Sequence, residues 1–171
     1  MTGFAIYSVA TAGGDLAVSP MPGRRGDLAG DVERIAEWSA DMVISMTTDA
    51  EFSHCKTGDF GIRMARVGIE WRRFPVEDFG TPGSTEQSQW AAVSRAARAV
   101  LAGGGKVLIH CMGGCGRSGM AALRLMIESG EDPDDALSRL RDARPCAVET
   151  DAQFAWATSA GKVPREDNSG G

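Results

Sequence analysis

Apolar residues fall into short blocks rich in aliphatic and aromatic side chains at 4–9, 16–19, 42–46, 69–74 and 106–110, each too short for an ordinary helix. These blocks predict five strands. Elsewhere the apolar positions recur at three- and four-residue spacing, over 28–39, 85–102, 117–129, 133–142 and 150–159, the period that turns one stripe of a helix toward a core. Boundary chemistry supports several of these helices: Gly103, Gly104 and Gly105 stop the second, and Asp132 before Pro133 caps and opens the fourth. Strands alternating with helices predict an α/β layer fold.

With 171 residues, 43% of them hydrophobic, the chain can bury one core and is too short for two ordinary domains. The expectation is a single domain over 1–161 and a flexible tail over 162–171, where PREDNSGG offers nothing to bury. A net charge of -5 argues against a partner recognised through a polyanionic backbone, so no nucleic acid is expected. The start of the chain lacks a basic region, and its apolar run is broken by Gly13, Gly14 and Asp15. No stretch approaches the roughly 18 apolar residues of a membrane span, so the reading is a cytoplasmic protein with no membrane partner. The four cysteines, Cys55, Cys111, Cys115 and Cys146, are irregularly spaced and are expected to be free thiols. The two histidines, His54 and His110, lie far apart and C-x3-C is not a usual zinc spacing, so neither a metal nor another cofactor is expected. Oligomeric state is not legible.

The chemistry concentrates in KVLIHCMGGCGRSGMAALRLMI, where a short strand runs through a glycine-rich turn straight into a helix. Backbone N–H groups of the turn and the helix N-terminus then converge on one spot, which favours an anion. A plain tight turn leaves a cysteine at its first position, an arginine six residues on and a following hydroxyl unexplained. Gly114, Gly116 and Gly119 also satisfy G-x-G-x-x-G, but the acidic residue about 20 positions on, Asp134, opens a helix in GEDPDDAL instead of ending a second strand. The remaining reading takes Cys111 and Arg117 together as C-x5-R. Phosphoryl transfer needs a nucleophile in line with the leaving oxygen and donors for the equatorial oxygens. Met112, Gly113, Gly114, Cys115 and Gly116 can supply backbone donors, Arg117 a planar two-pronged fork, and Cys111 a nucleophilic thiolate favoured by that setting. A departing alkoxide or phenoxide also requires an acid, and FPVEDFGTP offers Glu77 and Asp78.

His110, Cys111, Gly114, Arg117, Ser118 and Gly119 complete the motif H-C-x-x-G-x-x-R-[ST]-G, and in it the chain resembles the protein tyrosine phosphatase superfamily. LIHCMGGCGRSG and FPVEDFGTP bring it nearer to small dual-specificity phosphatases, especially the type acting on cyclin-dependent kinases; the likeness covers 74–156. The resemblance implies a central mixed, mostly parallel sheet of about five strands flanked by helices. It also implies hydrolysis of phosphate monoesters through a phosphocysteine at Cys111, with Arg117 gripping oxygens. Asp78, between Pro75 and Pro82, becomes the acid, with Glu77 as fallback, and Phe79 packs on a substrate ring or closes its loop. Gln153 matches a residue that positions water, or is solvated surface. Ser118 donates to the cysteine sulfur, caps the helix, or does both, while His110 is tied into neighbouring backbone. Cys115 is a small buried side chain or the partner of Cys111 in a disulfide. The expected substrate is a phosphorylated protein, through phosphotyrosine and also phosphoserine or phosphothreonine, or a small phosphomonoester. Two alternatives remain: a phosphatase for a non-protein phosphate ester, and a module that only recognises phosphate.

Overall fold

The computed structural model of the chain describes residues 3–159, so the tail expected over 162–171 lies outside the described residues. The elements run β1 (Tyr7–Thr11), β2 (Gly14–Ser19), α1 (Leu28–Glu37), β3 (Met42–Ser45), α2 (Asp49–His54), α3 (Phe60–Arg66), β4 (Glu70–Arg73), α4 (Ser84–Ala102), β5 (Lys106–His110), α5 (Gly116–Glu128), α6 (Pro133–Ala143) and α7 (Asp151–Thr158). The five strands form one sheet in the order β1-β2-β5-β3-β4. Only β1 with β2 is antiparallel; the β2–β5, β5–β3 and β3–β4 pairs are parallel. This is the mixed, mostly parallel sheet that the resemblance implied.

The central strands are buried on both faces, which explains why they read as unbroken apolar blocks. On one face Leu16, Val18, Met42, Ile44, Val107 and Ile109 pack with residues of α4, α5, α6 and α7. On the other, Ala17, Val43 and Leu108 meet Ile35 of α1, Phe52 of α2, and Phe60 and Met64 of α3. Alternation along each strand thus divides the core in two.

Two parts of the pattern differ from expectation. The first strand begins at Tyr7 instead of residue 4, because a two-residue turn sets its register: Ala12 and Gly13 both have positive φ, 53° and 95°, and Thr11 pairs with Gly14. The short helices α2 and α3 were not expected, since six or seven residues are too few to show a helical period. Among the described residues no helix is long and apolar enough to cross a membrane.

The four parallel strands end at one edge of the sheet. In the middle of that edge β5 delivers His110, and the glycine-rich loop begins there.

Candidate active site

The loop over residues 111–115 is anchored before it turns into α5. Met46 N–H donates to His110 O and Met21 N–H to Met112 O, both at 3.0 Å, so neighbouring connections hold its first half. Gly114 has φ +74°, and a Cβ there would lie 2.6 Å from the backbone at Ser19 and Pro20. Only glycine allows that approach.

Cys111 is 2% exposed, and its Sγ lies 3.1 Å from the Ser118 hydroxyl in the first turn of α5. Arg117, in the same turn, has a side chain only 1% exposed. Its Nη1 donates to Glu51 Oε1 at 2.6 Å and to Val76 O at 2.9 Å, and its Nη2 to Glu51 Oε2 at 2.9 Å. Burial opposes the charge on Arg117, but the hydrogen bonds it donates to Glu51 and the fields of Cys111, Glu51 and Asp78 outweigh it, so its pKa lies above the ordinary value. Glu51 shows the counterpart: burial pushes its carboxyl up, the bonds with Arg117 and Thr48 pull it down, and the balance is downward. Arg117 Nε, buried, has no acceptor among the described residues. One edge of the guanidinium is therefore clamped, while the Nε–H donor on it remains without a partner among the described residues.

Asp78 reaches the loop from the segment after β4: its Oδ1 lies 3.3 Å from Arg117 Nη2. Its side chain is 54% exposed, so it borders the solvent-facing side of the site. Phe79 N–H donates to the same Oδ1 at 3.0 Å, and Phe79 adopts φ 59° with its side chain exposed. Glu77 is exposed, and its carbonyl accepts from Gly80 N–H.

A family model described as polymorphic toxin system, DSP-PTPase phosphatase, matches residues 20–131. The chain belongs to this family. The mouse protein named cyclin-dependent kinase inhibitor 3 is 31% identical over 132 residues, which are 76% of this chain and 61% of that one. Among solved structures, kinase associated phosphatase with its catalytic-site cysteine replaced by serine superposes with a TM-score of 0.79 at 22% identity, over 92% of this chain and 93% of that one. Tk-PTP in its active form gives 0.70 at 30% identity, over 90% and 95%. The chain thus belongs by family to the DSP-PTPase phosphatases and shares the fold of kinase associated phosphatase.

In this DSP-PTPase His110 is fully enclosed. Trp71 Nε1–H donates to Ser45 Oγ at 2.8 Å, Ser45 Oγ lies 2.6 Å from His110 Nε2, and His110 Nδ1 lies 3.3 Å from Cys111 O. The pattern is satisfied by one tautomer: Ser45 donates to Nε2 and Nδ1–H donates to the carbonyl. Burial lowers the His110 pKa to about 4, against a smaller upward pull from the Cys111 carbonyl. Between pH 6.5 and about 4 the unfolded chain therefore binds a proton that the folded one does not, so stability rises with pH across that window and is lost on acidification. Urea unfolding measured from pH 7 to pH 4.5 should register about 2 kcal/mol more loss than in His110→Asn, which lacks the titrating ring.

Gln153 is buried, and its side chain joins two segments. Its Oε1 accepts from Glu149 and Thr150 N–H groups, and its Nε2 donates to Gly80 O at 3.2 Å, two residues beyond Asp78.

The expectation for Cys115 is corrected. It forms a disulfide with Cys146, and only Cys55 and Cys111 are free. Cys115 is therefore not the partner of Cys111, nor are all four cysteines thiols. The connection from α6 to α7 folds back under the loop, where Arg144 donates to Gly113 O and Gly114 O and Val148 N–H to Cys115 O. That arrangement brings Cys146 to Cys115 across 31 residues of sequence.

Glu51 was missed by sequence reasoning. Thr48-x-x-Glu51 is a capping box, with Glu51 Oε1 accepting from Thr48 N–H at 3.0 Å while it also holds Arg117. The box was legible as a helix start; its second use was not. His54 lies exposed at the end of α2, away from this cluster of side chains.

Proposed function

We propose that the chain hydrolyses phosphate monoesters of proteins through a phosphocysteine at Cys111. The observation that carries this reading is Arg117, buried and clamped by Glu51 with its Nε–H still without an acceptor among the described residues, one residue before the Ser118 whose hydroxyl meets Cys111 Sγ. A dianionic phosphate offers acceptors for that donor and for the loop N–H groups.

In the first step Cys111 Sγ attacks phosphorus, the bond to the ester oxygen breaks, and Asp78 gives that oxygen its proton. In the second, water attacks phosphorus, Asp78 takes the water proton, and the S–P bond breaks toward Cys111, whose returning charge the Ser118 hydroxyl meets. Gln153, tied to Gly80, positions the water or the Asp78 segment. Met112, Gly113, Gly114, Cys115 and Gly116 contribute no lysine for a more highly charged polyphosphate, and two of the named relatives carry a kinase in their names, so a phosphoprotein is favoured.

A turnover panel tests this: an aryl phosphate, phosphotyrosine and phosphothreonine peptides, a phosphoinositide and a 5'-triphosphate RNA, with acid quench and mass analysis for a phosphate on Cys111. Release from the peptides with a trapped phosphocysteine is expected. Binding of the peptides without any turnover would leave a phosphate-recognising module instead. Turnover confined to the lipid or the RNA would overturn the protein substrate.

The clamp makes its own prediction. Glu51→Gln keeps the shape of the side chain but removes the charge opposite a buried guanidinium, and should lower kcat/KM by about 10- to 100-fold and weaken vanadate inhibition in parallel. An unchanged vanadate constant would show that Arg117 does not need its clamp.

A further inference from the structure

A second concentration of positive charge lies beside the loop. A concave surface of about 470 Å³ is lined by Arg24, His54, Cys55, Lys56 and Met112 together with two glycines. Arg24 and Lys56 are cationic, His54 adds a ring with hydrogen-bonding nitrogens, and no carboxylate lines the pocket. This runs against the chain as a whole, where 23 acidic residues outnumber 18 basic ones.

The pocket and the loop share a wall. Met112 directly follows Cys111, Arg24 Nη1 donates to its carbonyl at 3.1 Å, and a Cβ on Gly113 would lie 3.8 Å from the same nitrogen. Helix α2 links the two places: Glu51 near its start clamps Arg117, while His54, Cys55 and Lys56 close its far end. At 1.5 Å of rise per residue these ends are separated by roughly 8 Å. Lys56 also follows the C-cap Cys55 with φ 55°, where glycine would be unstrained. A cation thus stands at a position whose backbone alone would favour another residue.

We propose that this pocket binds an acidic group, carboxylate or phosphate, on a side chain two to three residues from the phosphorylated residue of a peptide substrate. An extended peptide advances about 3.3 to 3.6 Å per residue, so two or three residues bridge the length of α2. A discrete charge fits better than a membrane surface, because an anionic bilayer would face a protein with net charge -5. The inference rests on the peptide phosphatase reading above.

The experiment compares phosphopeptides that differ only two or three positions from the phosphorylated residue, carrying alanine, glutamate or a second phosphorylated residue. An acidic neighbour should raise kcat/KM by about tenfold, mostly through KM. Gain from glutamate and phosphate alike identifies charge as the feature read; gain from phosphate alone identifies the phosphate. In Lys56→Glu, an exposed substitution, the advantage should fall to one or below. A second measurement uses protein carrying Cys111→Ser, in which alkylation of Cys55 should be slowed by the acidic peptide and not by the alanine peptide. Equal kcat/KM across the series would overturn the pocket and leave the phosphatase reading intact. Failure to hydrolyse any peptide, the alanine one included, would overturn both. Tight binding to polyphosphoinositide vesicles, lost in Lys56→Glu without any peptide preference, would assign the pocket to lipid and overturn the peptide proposal.

Discussion

Replacing Cys111 with serine is expected to lower turnover of an aryl phosphate by at least about 10⁴-fold while vanadate or phosphate still binds. The substitution changes one atom in a site only 2% exposed, so packing is nearly conserved and Ser118 keeps a partner at the same place. On the proposed mechanism what is lost is the anionic nucleophile, because an alcohol is almost never ionised near neutrality. The measurement pairs initial rates with calorimetric binding of phosphate. Turnover above about one per cent of the parent would remove Cys111 from the nucleophile role, and loss of both binding and fold would make its role structural.

Asp78→Asn should lower turnover by about 10² to 10⁴-fold for esters with poor leaving groups, and the deficit should shrink as the leaving group becomes more acidic, since a good leaving group needs no proton. Affinity should hold or improve, because the exchange removes a negative charge lying 3.3 Å from Arg117 Nη2. On the proposed mechanism the parent needs a thiolate and a protonated acid together, so its pH–rate profile should be bell-shaped, and without Asp78 its alkaline fall should flatten. Glu77→Gln is the control and should do little. If it removes the alkaline limb while Asp78→Asn leaves that limb in place, the acid is Glu77.

Much of the fold was legible because its signals are local. Lys106–His110 is a β-rich block with the observed bounds, and Asp132 before Pro133 opens α6 as its chemistry required. The hairpin register was not legible, because Ala12 and Gly13 form the turn without the Asn-Gly or Asp-Gly pair that advertises one. Helix α2 was missed for its length, and with it Glu51, although Thr48-x-x-Glu51 is a recognisable capping box. Gln153 shows the same limit. A glutamine at a helix start is ordinarily solvated; here it is buried, closing a capping box with Thr150 while its amide donates to Gly80 O, a partner far away in sequence.

By itself the sequence determined the order of the five strands and the five longer helices and the local content of the loop: a cysteine, an arginine and a hydroxyl at the mouth of a helix, with glycine where the backbone needs positive φ. Those follow from spacing, since residues within one turn and one helix are neighbours whatever the rest of the chain does. Tertiary structure alone decided which distant groups complete the site. Glu51 reaches Arg117 because α2 leaves the end of β3 beside β5, Asp78 reaches it because the segment after β4 runs along the same edge, and Cys146 meets Cys115 because the chain after α6 turns back beneath the loop. No local pattern encodes such pairings; they arise when both faces of the sheet are covered and the ends of its parallel strands are brought to one edge.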